Sequence, residues 1–273
     1  GLDAGAFRGR GVDFLDVGGG LSVDACSLSV CEDSIFRGYA QELKKVREHV
    51  LLNEKQLLAL PSNSIVSYRA DRGPPPAARR KLLVTEFGKA LICRAGVALS
   101  PVHDVLSYSA DAQSGEYAEV VAVAGMGADL FLRTAYAPDS FPLLLSLLDG
   151  VSHQPLHVRS GDGANGKSEG AGRGLFCALP SSSPVLRDAV SLTVAGPLCF
   201  AGDVLMRRET GPLPHRGDVL VALNAGANAL SLFSRHCSRA SPAVFAVRVC
   251  GAECQVTRVR DEETCEEILR FWD

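Results

Sequence analysis

The sequence predicts an α/β segment followed by an all-β segment, and three observations carry that reading. An apolar run at Val12–Val17 leads into Gly18-Gly19-Gly20, and Ser34–Leu52 then carries a helical apolar stripe. From about Ala90 onward, short strand patterns succeed one another with turn residues between them. The first two observations make the strand–loop–helix unit of a β/α barrel, and the third predicts an antiparallel second domain. We expect a partial barrel over residues 1–100 and a β domain over 101–273.

Val12–Val17 reads as a buried strand because its apolar residues are interrupted only by Asp13 and Asp16 before the glycines impose a tight loop. In Ser34–Leu52 the stripe is Ile35, Phe36, Tyr39, Leu43, Val46, Val50 and Leu51, with charge on the opposite face. Asp71–Arg80 (D-R-G-P-P-P-A-A-R-R) is excluded from regular structure by its prolines and is expected to be a surface insertion. Leu82–Val84 is a second strand ending near Glu86, and a carboxylate where a barrel strand meets its loop stands where barrel enzymes keep their chemistry. The later strand candidates are Leu91–Val105, Tyr117–Ala124, Val190–Val194, Val204–Met206, Asp218–Leu223 and Ala243–Val249. Ser160–Gly174, continued by Ser181-Ser182-Ser183-Pro184, is Gly/Ser-rich and predicts a flexible insertion.

Composition narrows the function classes. At 273 residues with 47% hydrophobic and 22% charged residues, the chain suits one large or two ordinary globular domains. A net charge of -3 leaves no electrostatic footprint for nucleic acid. The best apolar stretch, Leu82–Val102, is interrupted by Glu86, Lys89 and Arg94, so no membrane span is expected. Nine cysteines without a C-x-x-C pattern predict reduced thiols and an intracellular compartment, cytoplasmic or plastid. The chain begins with Gly and shows no signal-peptide pattern, so its N-terminus is expected to be processed or truncated.

The segment Ala195–Asp203 (A-G-P-L-C-F-A-G-D) places Cys199 and Asp203 behind a Gly-Pro turn that closes Val190–Val194. A rigid turn holding a thiol and a carboxylate at set separation is a candidate site, although a buried core thiol is the commoner role for a cysteine. Gly161–Ser168 (G-D-G-A-N-G-K-S) matches the phosphate-loop pattern, which also requires a helix to begin at its Lys-Ser. The following E-G-A-G-R-G cannot supply that helix, because each glycine costs about 1 kcal/mol relative to alanine. A nucleotide-binding module resting on Lys167 is therefore the weaker alternative to a loop. His153-x-x-x-His157 has Pro155 between its imidazoles and no third ligand nearby, and Cys26, Cys31, Cys250 and Cys254 lack metal-site partners, so no metal is expected.

Taken in order, L-D-V-G-G-G-L (Leu15–Leu21), T-E-F-G-K (Thr85–Lys89), V-A-G-M-G-A-D-L (Val123–Leu130), A-G-P-L-C-F-A-G-D, the Gly217–Val247 stretch and V-R-D-E-E-T-C-E-E-I-L-R (Val259–Arg270) resemble a known family. It is the fold-type III pyridoxal-phosphate decarboxylases of basic amino acids, diaminopimelate decarboxylases above all. The resemblance implies the C-terminal portion of an alanine-racemase-like (β/α)8 barrel followed by an antiparallel Greek-key β-barrel. It implies pyridoxal 5'-phosphate as cofactor, with Gly18, Gly19 and Gly20 at the phosphate, Glu86 at the ring nitrogen, and Gly88, Lys89 and Asn228 also in cofactor-binding positions. A glycine loop that is only a turn, and a Glu86 that is only a solvated strand end, are the plainer readings of the same residues. Cys199 and Asp203 match the catalytic cysteine motif that reaches a partner subunit's site. Arg133 and Tyr136 match substrate-contacting residues, Arg133 one place beyond the family's arginine, where this chain has Leu132.

Departures accompany the matches. Lys89 stands where the family has arginine, Asn228 where it has tyrosine, Phe200 where it has an acidic residue, and His236-Cys237 where it has an aromatic-Asn pair. The lysine that the family bonds to the cofactor lies in a Y-x-x-K-A-like setting, which none of Lys44, Lys45, Lys55, Lys81, Lys89 and Lys167 shares. The implied function is a carboxy-lyase acting on a basic or diamino acid in lysine or polyamine synthesis, with arginine or ornithine decarboxylation as the nearest enzymatic alternative. The implied assembly is a homodimer, or a heterodimer with a related decarboxylase. A catalytically silent paralogue that regulates such an enzyme is the alternative of a different class. Neither a nucleic-acid nor a membrane partner is expected.

Overall fold

A computed structural model describes residues 14–16, 41, 44, 82–84, 86, 88, 92–108, 119–136, 143–159, 174–251 and 253–272. The chain divides into two compact units, Gly1–Leu91 and Ile92–Asp273. The division falls before residue 100 because Ala98–Tyr108 is one uninterrupted strand of the second unit.

In the first unit, β1 (Phe14–Asp16) and β2 (Leu82–Val84) pair in parallel, with Phe14 opposite Leu82 and Asp16 opposite Val84. Parallel pairing requires a crossover connection, as the barrel reading demands. Gln41 and Lys44, inside the expected helix, are helical. The rest of Ser34–Leu52, the Asp71–Arg80 insertion, Gly18–Gly20 and Lys89 lie outside the described residues.

The second unit is built on a seven-stranded sheet. Its strands are β3 (Ala98–Tyr108), β4 (Glu119–Ala124), β5 (Leu144–Leu148), β7 (Leu175–Phe176), β9 (Ala189–Ala195), β10 (Val204–Pro212) and β11 (Val219–Leu223), in the order β10-β9-β4-β3-β11-β5-β7. Gly174 donates its N–H to the Leu205 carbonyl and bridges to Met206, drawing β7 against β10 and curling the sheet nearly into a barrel. The expected antiparallel pairing is corrected at two places in this sheet: β4–β9 and β5–β7 are parallel, their connections being long enough to cross over. A smaller parallel pair joins β6 (Leu156–Val158) to β8 (Val185–Arg187).

Alternation explains which face is buried. In β4, Val120, Ala122 and Ala124 point into the core while Glu119, Val121 and Val123 are partly exposed, the period-2 pattern of a half-buried strand. β5 (L-L-S-L-L) is buried on both faces, and Phe131, Leu145, Leu147, Leu192 and Leu205 are wholly enclosed in the same core. Burying a side chain such as Phe131 stabilises by about 1.5–3 kcal/mol.

Arg187, on β8, holds an inner ion network that sequence reading did not foresee. It bonds Asp218 in bidentate fashion and Asp149 at 2.7 Å, while Asp218 also accepts the backbone N–H of Gly150 at 3.0 Å and of His215 at 2.7 Å. The network ties the β5–β6 turn to the end of β8 and to the loop between β10 and β11.

A two-stranded antiparallel hairpin, β12 (Val244–Cys250) and β13 (Glu253–Arg260), precedes α2 (Cys265–Trp272). α2 starts with a capping box. The Thr264 hydroxyl accepts the Glu267 N–H at 3.2 Å, and the Glu267 carboxylate accepts the Thr264 N–H at 2.8 Å. Among the described residues no helix is long and apolar enough to cross a membrane.

Candidate active site

The candidate residues fall into the two units, and each group is built separately. In the first, β1 and β2 run in the same direction and in register, so the chain leaves both at the same edge. Gly18–Gly20 follow β1 in sequence, and Glu86 follows β2. Glu86 is exposed, and its carbonyl accepts the Gly88 N–H at 2.9 Å. A Cβ at Gly88 would meet nothing within 4 Å, so open space surrounds it. A carboxylate and a glycine in open space thus follow a parallel strand end.

In the second unit the organising group is Asp203. Its carboxylate is buried, and it accepts the N–H of Ala128 and that of Leu198, each at 2.6 Å. Gly127 and Gly196 flank it so closely that a Cβ on either would collide with the carboxylate. The motifs V-A-G-M-G-A-D-L and A-G-P-L-C-F-A-G-D are thus two halves of one clamp. Burial pushes the Asp203 carboxyl above its ordinary range, against the opposing pull of the two amides.

Asp129 performs the matching task on the other side. Its carboxylate accepts the N–H of Gly127 and Leu130 and the Nε–H of Arg239, while its carbonyl accepts the Ser234 N–H at 2.8 Å. Arg239 also donates to the Gly125 carbonyl. Arg235 pairs with Glu263 and lies 4.6 Å over the Phe271 ring, which links the same segment to α2. The Arg235 guanidinium holds the Glu263 carboxyl below its usual range.

These clamps present Cys199 on an exposed turn. Its Sγ lies 3.3 Å from Sγ of Cys237, a hydrogen bond that raises the Cys199 thiol above its ordinary value. Phe200 packs edge-on against His236, and with Ala128, Leu132, Leu198 and Ser234 they line a shallow apolar recess. Leu132 lies at the mouth of the loop that leads into the next helical turn and contributes its side chain to this recess. Arg133 and Tyr136 are on a helical turn, α1 (Arg133–Tyr136), so they are i,i+3 neighbours and Arg133 Nε donates to the Tyr136 hydroxyl at 3.3 Å.

Asn228 sits in the turn 225–229, where Gly226 crosses the 92–97 segment: Gly226 donates to the Cys93 carbonyl at 2.8 Å and Ala225 to Gly96 at 2.9 Å. A side chain at Gly226 would strike the Ile92 carbonyl, which accounts for the glycine in N-A-G-A-N. His157 is turned to the Leu179 carbonyl at 2.8 Å, in keeping with a structural role. Cys254 and Cys250 lie on the exposed hairpin. Gly161–Ser168 lie outside the described residues. Sequence reading missed the grouping of Cys199 with His236 and Cys237, because the two cysteines are 38 positions apart.

The fold of the chain is shared with solved diaminopimelate decarboxylases. No family model matches the sequence. The chain is diaminopimelate-decarboxylase-like: it is 37% identical over 92 residues to the diaminopimelate decarboxylase of Methanothermobacter thermautotrophicus, a match covering 34% of this chain and 21% of that enzyme. A crystal structure of diaminopimelate decarboxylase superposes with a TM-score of 0.56 at 19% identity, covering 97% of this chain and 48% of the other. The Helicobacter pylori diaminopimelate decarboxylase complexed with L-lysine gives 0.52 at 15% identity, covering 95% and 44%. The chain thus spans less than half the length of these enzymes.

Proposed function

We propose that this chain is the later part of a pyridoxal-phosphate-dependent decarboxylase of a basic or diamino acid, with meso-diaminopimelate the leading substrate. The observation that carries the reading is the Asp203 clamp, which presents Cys199 on a rigid exposed turn inside a fold shared with diaminopimelate decarboxylases. The L-lysine bound to the Helicobacter pylori enzyme supports an amino-acid ligand.

When bound, the cofactor supplies an electron sink that makes loss of CO2 from an amino acid feasible. In this reading the N–H groups of Gly18, Gly19 and Gly20 approach its phosphate without Cβ obstruction. Glu86 holds the proton on the ring nitrogen by charge pairing. Gly88 leaves room for the ring, while Lys89 contributes a point charge to the cofactor's anionic end. Arg133 and Tyr136, already hydrogen-bonded to one another, orient the substrate carboxylate. Cys199 Sγ serves a neighbouring subunit's site in a homodimer or a heterodimer with a related decarboxylase, and delivers a proton to the reacting carbon. Asp203 holds Cys199 in place.

The test is equilibrium dialysis of pyridoxal phosphate against the purified chain, with CO2 release measured from diaminopimelate, ornithine and arginine. We expect reversible binding weakened by Glu86→Ala, no label retained after borohydride reduction, and diaminopimelate preferred in any turnover. Absence of binding would overturn the reading.

A further inference from the structure

Three groups that the decarboxylase reading does not use together meet at one point of the second unit. Cys199 Sγ, Cys237 Sγ and a ring nitrogen of His236 all lie within 4.8 Å of one another, and all three residues are exposed. Two thiols and an imidazole are the donor set preferred by thiophilic divalent cations of the zinc class. A tetrahedral ion with bonds of about 2.3 Å to sulfur and 2.0–2.1 Å to nitrogen needs ligand separations of about 3.5–3.8 Å. The observed Sγ–Sγ separation of 3.3 Å falls short of that spacing by a small outward motion.

Hydrogen bonds hold the backbone on either side of the three donors. Cys199 follows Leu198, whose N–H is held by Asp203, and the 234–239 segment is anchored at both ends, by Ser234 to Asp129 and by Arg239 to Asp129 and Gly125. Between the anchors Cys237 adopts φ 57° and ψ 29°. That change of backbone hand lets consecutive side chains approach one point, which an extended pair would direct to opposite faces. The edge-on contact between Phe200 and His236 sets the imidazole plane.

We propose that Cys199, His236 and Cys237 form a binding site for one zinc-class divalent cation, with a fourth position open to water or an exogenous ligand. On binding, each thiol releases its proton to solvent and each sulfur forms one bond to the metal, while neutral His236 donates a nitrogen lone pair; no electron is transferred. Because Cys199 is the residue assigned a proton-delivery role above, an occupied site would withhold that thiol. The metal site itself stands on geometry alone and is independent of the cofactor reading.

The experiment is titration of the reduced full chain, without pyridoxal phosphate, with Zn2+ and with Cd2+, followed by calorimetry and by the ultraviolet thiolate-to-cadmium absorption. We expect one equivalent bound, with affinity falling at least 100-fold in Cys199→Ser and in Cys237→Asn, whose replacement tolerates the left-handed backbone. His236→Ala should lose at least tenfold while keeping the thiolate absorption, and Cys254→Ser should match the parent. All four positions are exposed, and circular dichroism of each variant confirms folding. Undiminished binding in a Cys199→Ser/Cys237→Asn double variant would overturn the proposal. So would a parent chain, kept fully reduced, that takes up no metal.

Discussion

The Asp203 carboxylate accepts the backbone N–H of Ala128 at 2.6 Å, across 75 positions of sequence. With its other oxygen on the Leu198 N–H, one buried side chain holds the cysteine turn against the loop after β4.

Replacing Asp203 by Asn leaves one oxygen and sets an amide N–H2 against a buried backbone N–H. A buried donor stripped of its acceptor costs about 1–3 kcal/mol. Urea denaturation of Asp203→Asn should show that loss through a lower midpoint at unchanged slope. An unchanged midpoint would mean that the clamp contributes nothing to stability.

Gly127 and Gly196 are there to leave room for that carboxylate. Gly196→Ala should destabilise by about 1–3 kcal/mol through overpacking. Most of the penalty should vanish when Asp203 is Ala, because the added methyl then has no oxygen to meet. A double-mutant cycle with additive effects would refute the coupling.

Asp149 titrates far below the usual carboxyl range, at about 2, chiefly because the Ser152 N–H and hydroxyl bond to it, with the Arg187 guanidinium assisting. A carboxyl depressed on folding stabilises the native state above its unfolded pKa and loses that contribution as pH falls through the folded value. Stability should therefore decline between about pH 4 and pH 2, by on the order of 1–2 kcal/mol from this group after allowance for partial solvent screening. Ser152→Ala should flatten that part of the curve in acid unfolding followed by circular dichroism. An unaltered curve would contradict the assignment.

The capping box of α2 gives a local test. Thr264→Ala removes the acceptor for the Glu267 N–H and should cost about 1 kcal/mol, with Thr264→Ser restoring most of it. Hydrogen exchange of the α2 amides is the direct readout, and equal protection in all three proteins would count against it.

Much of the barrel could be read from the sequence where strands alternate. Val120, Ala122 and Ala124 announce β4, and the two strands of the first unit stand out as apolar runs before Gly18 and Glu86. β5 was harder to see, because both of its faces are buried and L-L-S-L-L has no period. β6, β7 and β8 are two or three residues long and carry no pattern of their own. At the site, the ordered motifs located Cys199 and Asp203, but chain proximity cannot show that Asp203 turns inward to amides or that His236 and Cys237 fold back on Cys199. The pairing of Asp129 with Arg239 is likewise a product of tertiary folding, joining positions 110 apart.

The two-residue strand β7 closes the cylinder immediately after the Gly/Ser-rich stretch, with Gly174 packed so tightly on Leu205 and Leu143 that no larger residue fits. The seam between the first and last staves is therefore stitched at Gly174, and a side chain there would pull those staves apart.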